Sequence, residues 1–323
     1  MNKKDFRIIF MGTPDFAVES LKVLNENGFN IVGVITAPDK PAGRGKKIQM
    51  SAVKKYALEN NLRLLQPTNL KNALFLSQIN ALQADLQIVV AFRMLPEAVW
   101  AMPKYGTINL HASLLPQYRG AAPINHAIIN GETKTGVTTF FIEKEIDTGN
   151  IIFQEEVPVS PDENAGQLHD KLMLTGGKLI KKTVEAVINK EISAVSQNKL
   201  INRAGEIKPA PKIFKDNCKI NWNNHTQTVY NFIRGLSPYP SAWTEIADKN
   251  GKHFTLKIYK TEKISETHSH NPGTLISDNK TYLKITSSDS YLNIKELQLQ
   301  GKKRMNVKDL LNGFDISGFE IVD

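Results

Sequence analysis

Apolar and polar positions follow a regular rhythm along the first 150 residues. Short aliphatic or β-branched runs recur at 7–11, 31–36, 62–65 and 86–92. Between them apolar residues fall three or four apart, as at Ala17, Leu21 and Leu24, across 51–59 and across 70–82. The first pattern predicts strands buried on both faces, and the second predicts helices with one apolar stripe. Alternation of the two predicts a doubly wound, mostly parallel α/β sheet of Rossmann-like type. The run 86–92, Leu-Gln-Ile-Val-Val-Ala-Phe, is the most apolar and is expected at the centre. A helix is expected at 123–129, antiparallel or mixed strands at 136–142 and 151–157, and a long helix at 164–188. Gly176-Gly177 inside that helix predicts a bend.

The texture changes after residue 189. Residues 190–210 are polar and run into Lys208-Pro209-Ala210-Pro211, a linker pattern. Beyond a short helical stretch at 228–233 come brief alternating runs at 243–247, 254–259, 273–276, 282–285 and 291–299, separated by Gly, Asn, Asp and Pro turns. Such spacing predicts a small β-barrel. The expected organisation is one domain at 1–189, a linker at 190–211 and a second domain at 212–323.

Length adds that each domain can hold its own core, since the chain has 323 residues. No apolar run approaches the length of a membrane span. The apolar run at 8–11 is too short for a signal-peptide core. Cys218 is the only cysteine. It excludes an intrachain disulfide and fits a reducing cytoplasm. No Cys/His spacing suggests zinc, so no metal is expected.

Charge changes the picture more. Residues 1–205 hold 24 basic and 19 acidic residues, an excess of five. The window 38–55 alone supplies that excess: Lys40, Arg44, Lys46, Lys47, Lys54 and Lys55 stand against Asp39. A local basic cluster suits a polyanionic partner, although a solvated charged loop has the same composition.

The candidate chemistry lies at Asn109-Leu110-His111. Two residues apart on an extended chain, the amide and the imidazole share a face. In doubly wound sheets sites lie beyond the carboxyl ends of the strands. Asp147, in the turn Asp147-Thr148-Gly149, adds a carboxylate close to the same sheet end. Other site types are excluded. The first turn, Gly12-Thr13-Pro14-Asp15, lacks the dinucleotide glycines, and its carboxylate would repel a pyrophosphate. Gly43-Arg44-Gly45-Lys46 lacks the spacing of a triphosphate loop, and no nucleophile elbow occurs. Asn, His and Asp without a nucleophilic Ser or Cys suit direct acyl or formyl transfer to an amine through a tetrahedral intermediate.

These residues carry a resemblance. Asn109-x-His111-x-Ser113-Leu114-Leu115-Pro116 with Asp147-Thr148-Gly149 resembles the folate-dependent formyltransferases. Pro38 to Lys47, Tyr118-Arg119-Gly120 through Pro123, and Phe232-Ile233-Arg234 through Trp243 resemble the methionyl-tRNA branch of that family, in both domains and in order. The resemblance implies transfer of formyl from 10-formyltetrahydrofolate to methionyl initiator tRNA by a monomer. It implies that Asn109 and His111 polarise the formyl oxygen and that Asp147 holds His111. Val90, Phe92, Leu95 and Ser113, Leu114, Leu115 and Pro116 would line the folate site. Lys40, Arg44, Lys46, Lys47 and, in the second domain, Arg304 would meet tRNA. Where the family often has Tyr-Gly, this chain has Phe92-Arg93. That departure touches side-chain contacts to a pterin and spares backbone ones. A folate-dependent formyltransferase acting on a small amine, such as a nucleotide sugar, is the alternative. A catalytically dead RNA-binding protein would keep the basic loop without needing the Asn/His/Asp set.

Overall fold

The structure is a computed structural model and describes residues 2–42, 47–204 and 206–322. In chain order it runs β1 (Arg7–Gly12), α1 (Asp15–Glu26), β2 (Asn30–Ile35), β3 (Lys40–Ala42), β4 (Lys47–Gln49), α2 (Ala52–Glu59), β5 (Leu64–Leu65), α3 (Ala73–Ala81), β6 (Leu86–Val90), α4 (Glu97–Trp100) and β7 (Thr107–His111). There follow α5 (Pro123–Ile129), β8 (Lys134–Phe141), β9 (Ile151–Pro158), α6 (Ala165–Asn189) and α7 (Gln197–Ala204). The remainder is α8 (Thr226–Leu236), β10 (Ala242–Ala247), β11 (His253–Ile264), β12 (Leu275–Ser277), β13 (Leu283–Thr286), β14 (Tyr291–Leu299), β15 (Met305–Asn306), α9 (Val307–Leu311) and β16 (Glu320–Val322).

Two compact units emerge. The first comprises 1–120, 134–158 and 169–209, the second 121–133, 159–168 and 210–323. In the first, the order β5-β2-β1-β6-β7-β8-β9 places β6 at the centre, as its apolar run predicts. β5 to β7 pair parallel, while β8 and β9 return antiparallel. All five residues of β6 are buried. Its one polar side chain, Gln87, has Oε1 3.1 Å from the Thr107 hydroxyl, which also lies 2.7 Å from the Trp100 carbonyl oxygen. Gly12 ends β1 where α1 packs closest; a Cβ there would lie 2.6 Å from that of Ala17. Helix starts follow local chemistry: the Ser51 and Asn72 side chains cap α2 and α3.

α6 is continuous through Gly176-Gly177, running from Ala165 to Asn189. The glycines serve packing. A Cβ at Gly176 would meet Leu110 of β7 at 2.6 Å. A side chain at Gly176 would require the Leu110 side chain to shift.

The stretch expected as a plain linker carries α7, and Val195 makes a two-bond antiparallel bridge to Ile151, both bonds 2.8 Å. Residues 121–133 and 159–168 group with the C-terminal unit. α5 packs on α8, Tyr230 donates to Asp162 at 2.8 Å, and Arg234 donates to the Glu163 carbonyl at 2.8 Å. In that unit β12-β13-β14-β11-β10-β16 form a barrel-like antiparallel sheet, with β15 paired to β14. Its interior is Ile246, Leu256, Ile258, Leu283, Ile285, Leu292, Ile294 and Leu297, all fully buried. Among the described residues, no helix is long and apolar enough to cross a membrane.

Candidate active site

β7 ends at the carboxyl edge of the parallel strands, flanked by β6 and by the antiparallel β8. That edge carries the candidate trio. His111 is 6% exposed, and its Nε2 lies 2.8 Å from the Tyr118 carbonyl oxygen. A carbonyl only accepts, so that bond assigns a proton to Nε2 and turns Nδ1 toward Asp147, whose Oδ2 lies 3.8 Å away. Asp147 Oδ2 also accepts the Gly120 amide proton at 2.9 Å. Its Oδ1 has no protein donor among the described residues. Asn109, half-buried on the same face of the strand, makes no side-chain hydrogen bond to any described residue, leaving both N–H donors for a substrate oxygen.

The backbone is bent to achieve this. Tyr118 has φ +60° and Asp147 φ +56°, both in the left-handed region. For a bulky residue such as Tyr118 the conformation costs roughly 1–3 kcal/mol, and it directs the carbonyl at His111. Tyr118 is held by its own N–H, which donates to the Lys208 carbonyl at 2.7 Å. Gly149 allows the Asp147 turn to press against β8: a Cβ would sit 1.7 Å from the Phe141 carbonyl oxygen.

Other expected residues are placed differently. Ser113, Leu115 and Pro116 are buried, and Leu114 is half-buried. The Ser113 hydroxyl donates to the Gln117 carbonyl at 2.6 Å, and Leu115 packs with Phe140 and Ile151. Val90 is fully buried, Leu95 nearly so, and Phe92 is half-buried with the Arg93 guanidinium 5.5 Å from its ring centre. The backbone from Phe92 to Met94 makes no backbone hydrogen bond among the described residues. Arg93 is spent on structure: it donates to the Pro67 and Thr68 carbonyls, and burial pulls its pKa down from the ordinary value.

Arg44 and Lys46 lie outside the described residues, as does the Lys47 side chain. Lys40 is exposed on β3. Lys54, part of the same basic window, is bound to Asp39 at 2.5 Å, and that bond, with a second from Gln66, holds the Asp39 carboxyl below its usual range. Arg304 donates to Glu296 and lies 4.4 Å from the Tyr259 ring centre, so part of its charge is already matched. Among the described residues, no three His, Cys, Asp or Glu side chains gather as a metal site.

Two features escaped the sequence. Gln197 is 1% exposed and donates to the carbonyls of Asp147 (2.9 Å) and Gly149 (2.8 Å). In the C-terminal unit, a cavity of about 390 Å³ is lined by Lys212, Lys215, Lys257, Tyr239 and Trp243, among others. Lys215 and Lys219 lie 5.9 and 6.0 Å from the Trp243 ring centre, and Tyr239 is 83% exposed. Basic residues interleaved with exposed aromatics was the available signal, split between Lys212–Lys219 and Tyr239–Trp243.

Comparison with known proteins matches both parts of the chain. Residues 6–184 match the formyl transferase model and 212–315 the formyl transferase C-terminal domain. The chain belongs to the formyl transferase family. Methionyl-tRNA formyltransferase of Bacteroides thetaiotaomicron is 56% identical over 317 residues, 98% of each chain. The Flavobacterium johnsoniae protein of that name is 55% identical over 311 residues, 96% of this chain and 97% of that one. Among solved structures, an N-formyltransferase from Helicobacter canadensis in complex with folinic acid and dTDP-3-aminofucose superposes with a TM-score of 0.64 at 23% identity, covering 93% of this chain and all of that one. HypX from Aquifex aeolicus with tetrahydrofolic acid gives 0.63 at 16% identity, covering 97% of this chain and 48% of that one. These two confirm the formyl transferase fold.

Proposed function

We infer that the chain transfers the formyl group of 10-formyltetrahydrofolate to the free amino group of methionyl initiator tRNA, the reaction that readies that tRNA for translation initiation. One observation carries the chemistry: an unengaged Asn109 amide beside a His111 whose Nδ1 faces the Asp147 carboxylate at 3.8 Å. The near full-length relatives carry the choice of acceptor.

The amine attacks the formyl carbon, and the carbonyl oxygen becomes an oxyanion. Asn109 N–H donors stabilise that oxygen as its charge develops. The free Oδ1 of Asp147 takes the proton that the amine loses. A second proton on the imidazole, at Nδ1, is stabilised by Oδ2, so His111 can hand a proton onward. Collapse breaks the carbon–N10 bond and N10 gains a proton, so one C–N bond forms, one breaks, and protons balance. The free backbone from Phe92 to Met94, beside Val90 and Leu95, offers donors and acceptors to a pterin. Ser113 to Pro116 line the folate site.

Lys40, Arg44, Lys46, Lys47 and Arg304 neutralise tRNA phosphates, and the groove around Trp243 adds a stacking surface. One chain carries both the transfer site and these RNA-binding surfaces, so a monomer suffices. The test is formylation of charged initiator tRNA with 10-formyltetrahydrofolate, run beside small amines. Product on tRNA is expected. Product on a nucleotide sugar alone would move the reading to the small-amine branch, and no product at all would end it.

A further inference from the structure

We propose that Gln197 is a positioning residue for the transfer step: through its side-chain amide it sets the Asp147 carboxylate and the Arg119–Gly120 backbone in one register against His111. The inference rests on the formyl-transfer reading and adds to it a residue from the stretch that the sequence marked as a linker.

The amide is fully used. Its Nε2 donates to the Asp147 carbonyl (2.9 Å) and the Gly149 carbonyl (2.8 Å), which brackets the Asp147-Thr148-Gly149 turn. Its Oε1 accepts from Arg119 Nε (3.0 Å) and Nη2 (2.6 Å). Two donors and two accepted bonds exhaust a primary amide, which has no fifth role to play. The residue after Arg119 is Gly120, whose N–H binds Asp147 Oδ2, and the residue before it is Tyr118, whose carbonyl meets His111 Nε2. Gln197 thus closes a ring of hydrogen bonds whose other members are Asp147, Gly120 and, through the backbone, Tyr118 and His111. Apart from it, the Gly120–Asp147 bond joins the turn to the 118–120 stretch.

Gln197 is itself fixed from both sides. Two residues earlier Val195 is bridged to Ile151 of β9. One turn later Leu200 packs on Leu115, Phe140 and Ile151. A side chain held this way can hold another. The left-handed φ of Asp147 is a conformation that persists only when neighbours enforce it, and the two bonds to the turn supply that.

The chemistry distinguishes Gln197 from a merely buried residue. Gln197→Glu retains acceptors for Arg119, now as an ion pair, but replaces the donors with oxygens facing two carbonyls. We expect kcat to fall by about tenfold or more, with KM for folate and for tRNA within about threefold, as for a misplaced catalytic group. Arg119→Met, which breaks the other half, leaves the turn bracketed, and its kcat changes less than that of Gln197→Glu. The deciding measurement is a double-mutant cycle with Asp147→Asn. If Gln197 acts through that carboxylate, its substitution costs nothing further once the carboxylate is gone. Should Gln197→Glu melt too low to assay, Gln197→Met, uncharged and of similar length, carries the same cycle. Wild-type kcat in the variants, or losses that multiply with those of Asp147→Asn, overturn the proposal. A wild-type enzyme inactive on charged tRNA defeats the formyl-transfer reading instead, which separates the two failures.

Discussion

Asp147 accepts the Gly120 amide proton at 2.9 Å and with the same oxygen faces His111 Nδ1 at 3.8 Å. One carboxylate oxygen therefore ties the turn after β8 to the stretch after β7. Its second oxygen is left for chemistry. Asp147→Ala removes both functions and is expected to lower kcat about a hundredfold or more, as is His111→Ala. Asn109→Ala, which removes oxyanion donors, should cost about 10²–10³ in kcat. Steady-state rates with folding checked by circular dichroism decide this. A near-normal rate in any variant would remove that residue from the mechanism.

Gly149→Ala tests the turn without touching a reacting group. The added methyl carbon would overlap the Phe141 carbonyl oxygen at 1.7 Å, and backbone cannot yield as a flexible side chain can. The turn must shift, carrying Asp147 with it. A displacement of about 1 Å can cost a hundredfold in rate. We expect kcat to fall by at least about tenfold and the melting midpoint to drop by several degrees. Thermal unfolding and single-turnover rates check both.

Trp243→Ala should raise the KM for tRNA by about tenfold, since loss of a base-stacking surface costs roughly 1–3 kcal/mol. Folate KM and kcat should stay near wild type. Lys215→Ala and Arg44→Ala should each weaken tRNA use and flatten its salt dependence by about one unit of slope, as for a lost phosphate contact. Kinetics at several salt concentrations make the measurement, and unchanged tRNA kinetics would exclude the residue concerned from RNA binding.

Tyr230 gives a pH prediction for the C-terminal unit. Burial, then its hydrogen bond to Asp162 and that carboxylate's charge, push the phenol up to about 12. The folded state therefore holds the phenolic proton more tightly than the unfolded chain, whose tyrosines titrate near 10. The stabilisation is complete below pH of about 10 and is lost as pH rises toward 12. Tyr230→Phe should flatten the alkaline limb of the stability curve measured by denaturant unfolding between those values. An unchanged limb would show that another group governs it.

Much of this was legible in the sequence because periodicity reports burial. The mostly apolar run of β6 announced a central strand. Asn109 and His111 were legible as a pair because strand geometry puts alternate residues on one face. Gln197 was not legible. Its partners are the carbonyls of residues 147 and 149 and the side chain of Arg119, far away in sequence, and a polar segment between domains gives no sign of a buried amide. The packing of Gly176 against Leu110 on β7 was not legible either, because helix propensity is a local quantity. The basic residues were legible as charge but not as free charge: Lys54 and Arg304 have acidic partners that composition cannot reveal.

The route of the chain bears on what can be cut or exchanged. Residues 121–133 and 159–168 leave the N-terminal unit, pack with the C-terminal one, and return. A fragment ending at residue 211 would keep α5 and discard α8, its packing partner, exposing Ala127 and Ile128. The two halves are therefore not modular parts. A chimera that borrows another protein's C-terminal half must also borrow the two short excursions, or lose solubility before any question of specificity arises.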